Sequence, residues 1–230
     1  MKKNKISFDK YLFRCSSLGK LMTYPDKDTL SAGPKTFLGQ IFKEEFYQKT
    51  SQIQSRYLDK GLMVEEEAIA MYSKVCDKKF VKNDQRFDND YITGEPDILS
   101  DDLIDIKCSW NHTTFPLTTD AIPNKDYYWQ LQGYMELTGK DVSKLVYCLV
   151  DTPDELVYTE IKKITAQLGM IDLPEELEQE IWDSHRLEGI DPKYRIKEFV
   201  VERNQKDIDS IYKRVDLARD YLNSLTQILT

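Results

Sequence analysis

The chain has 230 residues, 40% of them hydrophobic and 31% charged, which is the balance of a soluble globular domain with a core of its own. No stretch approaches the roughly 20 apolar residues that a bilayer span requires, and the basic start Met1–Lys5 runs into Ser7, Asp9 and Lys10 rather than an apolar segment, so a cytoplasmic protein without a signal peptide is expected. The formal net charge of −8 excludes a uniformly basic surface but leaves room for a basic groove in an acidic exterior.

Ser16-Ser17 precede Leu18, Leu21 and Met22 at helical spacing, which predicts a short helix capped by one of the serines. Tyr24, Pro25, Gly33 and Pro34 mark 24–36 as a loop. Residues 36–50 and 55–74 read as helices, the second with Leu58, Leu62, Ala68, Ile69 and Tyr72 as an apolar stripe. Two strands are expected, over 91–99 and 102–108, joined by an acidic turn at Ser100-Asp101-Asp102. Pro116, Pro123 and Asn124 make 111–125 a loop, and 126–138 a helix ended by Gly139. The apolar run Leu145–Val150 predicts a buried strand. Within 151–193 only Pro174-Glu175-Glu176 signals a helix start. A strand follows at 195–202. Ile208, Ile211, Val215, Ala218, Leu222 and Leu225 then define a closing helix. This order gives an α/β fold, a central mixed β-sheet flanked by helices, in one domain over 1–230.

Chemistry concentrates in Gly94-Glu95-Pro96-Asp97-Ile98-Leu99 and Leu103-Ile104-Asp105-Ile106-Lys107. Side chains alternate along a strand, so Asp105 and Lys107 share one face and Ile104 and Ile106 the other. A hairpin would set Asp97 beside Asp105. Two such carboxylates form a hard oxygen site suited to Mg²⁺, and a neighbouring lysine can stabilise developing charge or orient an attacking water. Phosphodiester hydrolysis uses this combination.

These motifs resemble the core of the PD-(D/E)XK nucleases, a restriction-endonuclease-like fold, and more narrowly the lambda exonuclease and YqaJ-type viral recombinase group. Gly61-Leu62-Met63-Val64-Glu65-Glu66-Glu67-Ala68 is similar to the family's metal-site helix, and its spacing selects Glu65. Trp129-Gln130-Leu131-Gln132-Gly133-Tyr134 is similar to the family's Q-x-Q helix; Gln130 and Gln132 lie about 200° apart on a helix, so Gln130 is favoured beside the catalytic lysine, with Gln132 as the alternative and a candidate DNA contact. Cys15-Ser16-Ser17-Leu18-Gly19-Lys20 is similar to a stretch whose serine holds DNA phosphate, matching Ser16, while Arg14 and Lys35 are phosphate candidates by proximity. The resemblance implies a catalytic set of Asp97, Asp105, Lys107, Glu65 and Gln130. Mg²⁺, or Mn²⁺ in its place, would bind Asp97, Asp105 and the Ile106 carbonyl, with Glu65 serving a second ion or its water. It further implies an exonuclease that degrades duplex DNA from its ends, 5′ to 3′, leaving tails for a single-strand annealing protein, and a ring-shaped homotrimer. Residues 155–193 read as an insertion.

Two rival readings use the same residues: an endonuclease or RecB-like repair module, and an inactive DNA-binding or interaction protein that kept the fold. The four cysteines form no CxxC pair, and His112 and His185 stand alone, so zinc and iron–sulfur sites are not expected. Tyr127-Tyr128-Trp129 fits core packing better than base stacking. There is no Walker A sequence, so no dependence on nucleotide hydrolysis by this chain is expected.

Overall fold

A computed structural model describes residues 6–50 and 55–228; the Met1–Lys5 start lies outside them. A small sheet joins β1 (Phe13–Arg14), β2 (Phe87–Asp88) and β3 (Ile92–Gly94) in the order β1-β3-β2. The main sheet joins β4 (Ile98–Leu99), β5 (Leu103–Cys108), β6 (Val142–Cys148) and β7 (Ile196–Glu202) in that order. β5 and β6 run parallel and the other pairs antiparallel, so the sheet is mixed, as expected. The parallel pair needs a crossover, supplied by α3 (Lys125–Thr138). α1 (Ala32–Tyr47), α2 (Arg56–Val75), α4 (Asp154–Gln167), α5 (Glu175–Ser184) and α6 (Gln205–Ile228) complete the α/β architecture.

Strand alternation sorts the core onto two faces. Leu103, Leu145, Phe199 and Val201 pack with Leu131, Tyr134 and Met135 of α3 and with Ile211, Val215, Ala218 and Leu222 of α6. Ile98, Ile104, Ile106, Val146 and Cys148 face the other way, against Val64, Ala68, Ile69 and Tyr72 of α2. Each fully buried side chain of this kind contributes about 1.5–3 kcal/mol relative to exposure. Two helices thus clasp opposite faces of β5, the strand with the acid–lysine pair.

Four local expectations are corrected. The single strand over 91–99 is two, β3 and β4, which enter different sheets. The break falls at Glu95-Pro96-Asp97, where proline has no N–H for a ladder and the Asp97 carboxylate, not its backbone, takes the Ile106 N–H at 2.6 Å. The first short helix is a 3-10 helix, Cys15–Lys20, with Arg14 at its N-cap and neither serine capping it. Arg14 is still paired in β1 with Thr93, so the strand runs directly into the helix. α1 begins at Ala32, earlier than expected, because Pro34 falls in its first turn, where its missing N–H costs nothing. The strand expected at 145–150 starts instead at Val142 and ends at Cys148.

Glycines decide one close approach. A Cβ on Gly19 would lie 2.3 Å from Asp126 Oδ1, and one on Gly133 would lie 2.8 Å from both Cys15 Sγ and Leu18 Cδ1. The 3-10 helix can therefore seat directly on α3, which carries Ser16 and Lys20 to the rim of the site described next.

Candidate active site

The register of β4 on β5 fixes the centre. Leu99 pairs with Leu103 and Ile98 with Ile104, so Asp97 falls opposite Asp105 one step further on, and directly opposed residues point to the same face. Asp105 is fully buried and Asp97 partly so. Since N–H and C=O of one strand residue leave on the same edge, the Ile106 carbonyl also faces the Asp97 side. β4 is only two residues long, so beyond it this edge of β5 lies open. Glu65 reaches it from α2 on one face and Gln130 from α3 on the other. Glu65, Asp97, Ile106, Lys107 and Gln130 all line one pocket of about 730 Å³.

The electrostatics follow from burial. Loss of water, and then the Asp105 charge, together raise the Asp97 pKa to about 7 against the pull of Lys107 and the Ile106 N–H. Asp105 is raised too, first by burial, with Lys107 opposing and Glu65 adding to the rise. Burial works against the charge on Lys107, but Asp105 and then Asp97 outweigh it and hold the lysine pKa above its ordinary value. Lys107 pairs with Asp105 Oδ2 and lies 5.0 Å from the centre of the Tyr127 ring. Gln130 Nε2 donates to Asp105 Oδ1 at 2.8 Å and to the Tyr134 hydroxyl at 3.0 Å. Glu65 Oε2 meets Lys82 Nζ at 2.7 Å.

This donor set fits a divalent cation. Two close carboxylates that burial renders reluctant to ionise together lose that penalty when a cation sits between them. Among the described residues no three acidic, histidine or cysteine side chains are gathered into a ready cage. Each acid is instead turned to a donor of the protein itself: Asp97 to Ile106, Asp105 to Lys107, and Glu65 to Lys82.

No family profile and no curated protein matches the chain. Solved structures do. A phage-related exonuclease from Haemophilus somnus 129PT superposes with a TM-score of 0.80 at 28% identity, over 96% of this chain and 97% of that one. The alkaline exonuclease LHK-Exo from Laribacter hongkongensis gives 0.63 at 18% identity, over 96% and 92%. LHK-Exo in complex with dAMP gives 0.62 at 17% identity, over 95% and 91%. Over nearly its whole length the chain is thus similar to a phage-related exonuclease, and the lambda-exonuclease-like PD-(D/E)XK resemblance holds at the level of the fold.

The expected site residues divide. Glu65, Asp97, Asp105, Ile106, Lys107 and Gln130 converge, with Ser16 exposed on the pocket wall. Gln130 meets the carboxylate beside the lysine rather than the lysine itself. Arg14 lies outside the pocket, in a neighbouring cleft that it shares with Ser17 and Lys20. Lys35 is exposed on α1, with its ammonium 5.8 Å from the centre of the Tyr221 ring, and does not line the pocket. Gln132 is also off it: fully buried, it donates to the Glu202 carbonyl at 2.8 Å and accepts from the Asn204 N–H at 2.9 Å. The nitrogen and the oxygen of its side-chain amide both tie α3 to the β7–α6 turn, which replaces the expected DNA contact.

Sequence reasoning missed Lys20, Ser109, Trp110, Thr114 and Tyr147, which also line the pocket. It also missed Lys82, whose pairing with Glu65 bridges seventeen residues of chain. The signal for Ser109 and Trp110 was weak but present: they directly follow the acid–lysine strand, and loops at strand ends carry function.

Proposed function

We propose that this chain is a Mg²⁺-dependent exonuclease that hydrolyses DNA from duplex ends. The observation that carries the reading is the placement of Asp97 opposite Asp105 on one strand pair, with Lys107 beside Asp105, at the floor of an open pocket. Asp97, Asp105 and the Ile106 carbonyl would hold the ion, and Glu65 would hold a second ion or its water. A bound divalent ion polarises the scissile phosphate and lowers the pKa of an attacking water. Lys107, cationic beside Asp105, orients that water and stabilises charge developing on the phosphate. Gln130 fixes the Asp105 carboxylate through its hydrogen bond, as groups behind metal ligands commonly do. Ser16 and Lys20, on the rim, suit contact with the DNA backbone. The similar structures are those of exonucleases, one of them an LHK-Exo complex with dAMP, which supports the choice of an end-directed DNA substrate.

The family resemblance extends the proposal to 5′-to-3′ polarity, a ring-shaped homotrimer and a strand-annealing partner for the tails. The test is digestion of linear duplex DNA labelled separately at each 5′ end, with Mg²⁺ and with EDTA, beside a closed circular control. The expected result is loss of label from linear DNA in Mg²⁺ alone. Cutting of the circle would favour an endonuclease, and equal degradation in EDTA would overturn the metal assignment.

A further inference from the structure

The apolar stripe of α2 continues upward from Tyr72 and Ala68 through Val64 to Lys60, which is fully buried. Its ammonium donates to the Trp110 carbonyl at 2.9 Å, the Val150 carbonyl at 2.7 Å and Thr152 Oγ1 at 2.9 Å. Among these three partners there is no carboxylate. A methionine would fill the same stripe without the cost of burying a charge, so the packing of the stripe does not account for the lysine.

The position of its partners does. The β5–β6 ladder ends at Cys108 and Cys148, with one last bond from the Ser109 N–H to the Cys148 carbonyl. Trp110 and Val150 lie just past that point, where the two chains part. Lys60 stands between their carbonyls and joins both to α2. Behind it, Thr152 Oγ1 lies 2.9 Å from His185 Nδ1, and His185 Nε2 lies 3.3 Å from Glu160 Oε2. Burial lowers the His185 pKa and so favours the neutral ring. That ring can accept the Thr152 hydroxyl at Nδ1 and point its Nε2–H at Glu160. Lys60, Thr152 and His185 can then donate in one direction, with Glu160 as the final acceptor, from α2 to α4, the first helix of the segment read as an insertion.

We propose that Lys60 is a positioning residue for the metal centre: by gripping the carbonyls where β5 and β6 part, it fixes α2, and Glu65 upon it, against the strand that carries Asp105 and Lys107. This rests on the nuclease reading above. Glu65 follows Lys60 by five positions on α2, so the grip lies little more than one helical turn from the carboxylate it aims. Burial lowers the Lys60 pKa to about 8, with Cys108, Asp151 and Glu67 partly restoring it and Arg186 opposing them. The site thus holds an ammonium at some cost and uses all three of its protons.

The experiment is equilibrium binding of Mn²⁺, followed by the electron paramagnetic resonance signal of the free ion, across a double-mutant cycle. Lys60→Met should weaken binding about 10-fold in the otherwise native chain, within the range found for groups behind metal ligands, and less than 2-fold in a Glu65→Gln background. Thr152→Val, a milder variant that withdraws one of the three acceptors, should weaken binding in the same direction by a smaller factor and serves as the reporter if Lys60→Met fails to fold. Equal weakening of native and Glu65→Gln chains by Lys60→Met or Thr152→Val overturns the proposal, as does unchanged binding in a folded variant. Failure of the nuclease reading is separate: Asp105→Asn would then bind Mn²⁺ as well as the native chain.

Discussion

Removing the Asp97 charge should make the ion-free protein more stable while destroying its activity. Asp97 titrates at about 7 in the folded chain against an ordinary 3.8. At about 1.4 kcal/mol for each tenfold change in proton affinity, charging it costs the fold at most on the order of 4 kcal/mol. The sign is set by which state holds the proton more tightly. Here it is the folded state, so stability is greatest below 3.8, falls as the pH rises toward about 7, and is level above that. Asp97→Asn removes the charge and keeps an oxygen for the Ile106 N–H. Allowing for the weaker amide hydrogen bond, the gain at about pH 8 in EDTA should be about 2 kcal/mol, or about 4–8 °C in Tm for a chain of this length. Near pH 4.5, where charging costs the fold only about 1 kcal/mol, the gain should fall well below its value at about pH 8, because Asp97 already keeps its proton in the folded chain. Differential scanning calorimetry at the two pH values, with EDTA or Mg²⁺, reads all of this. Mg²⁺ should raise the Tm of the native chain and not that of the variant. A variant that melts below the native chain at about pH 8, or whose gain is the same at both pH values, would refute the idea that Asp97 and Asp105 share an uncompensated buried charge.

Asp105→Asn and Lys107→Met should each lower Mg²⁺-dependent degradation of linear duplex by about 10²–10⁴-fold with native far-ultraviolet circular dichroism retained, measured as initial rates of acid-soluble nucleotide release. The two glutamines of α3 should behave oppositely. Gln130→Ala should raise the Mg²⁺ concentration for half-maximal rate about 10-fold or more, whereas Gln132→Leu should leave that concentration unchanged and lose about 1–3 kcal/mol in urea unfolding, because the Glu202 carbonyl and Asn204 N–H lose their partner. Gly19→Ala should cost about 1–3 kcal/mol, as overpacking does, since its methyl would meet the backbone of Asp126 at 2.5 Å; an unchanged unfolding midpoint would mean that the 3-10 helix does not seat on α3.

The parts of the fold legible in the sequence are those with strong local signals. The period of α6, the Gly139 stop of α3 and the alternation around Asp105 all survive in the structure, whereas the α2 stripe holds only in part: Ala68, Ile69 and Tyr72 are buried, but Leu58 and Leu62 are exposed and Val64 and Lys60 take the buried face. The centre was legible because it is local too: Asp97, Asp105 and Lys107 sit on adjacent segments of chain, so the register of one hairpin suffices to bring them together. What the sequence hid depends on distant partners. The two-residue strands β1 and β2 exist only because β3 lies between them. Gln130 and Gln132 are chemically identical; only their tertiary surroundings, Asp105 for one and the Glu202–Asn204 backbone for the other, assign one to the centre and the other to the frame. Lys60 resembles any surface lysine until the ends of β5 and β6 are placed around it.

The glycine-mediated seating of the 3-10 helix on α3 has a mechanical consequence. Gly19 and Gly133 add no side chain of their own, so Asp126 packs directly on the backbone at Gly19, and Cys15 and Leu18 on that at Gly133, which leaves little room to absorb displacement. A polymer pulling on Lys20 at the rim therefore pulls on the helix that holds Gln130 against Asp105. Lys20 at the rim and Gln130 at the centre thus belong to one stiff body.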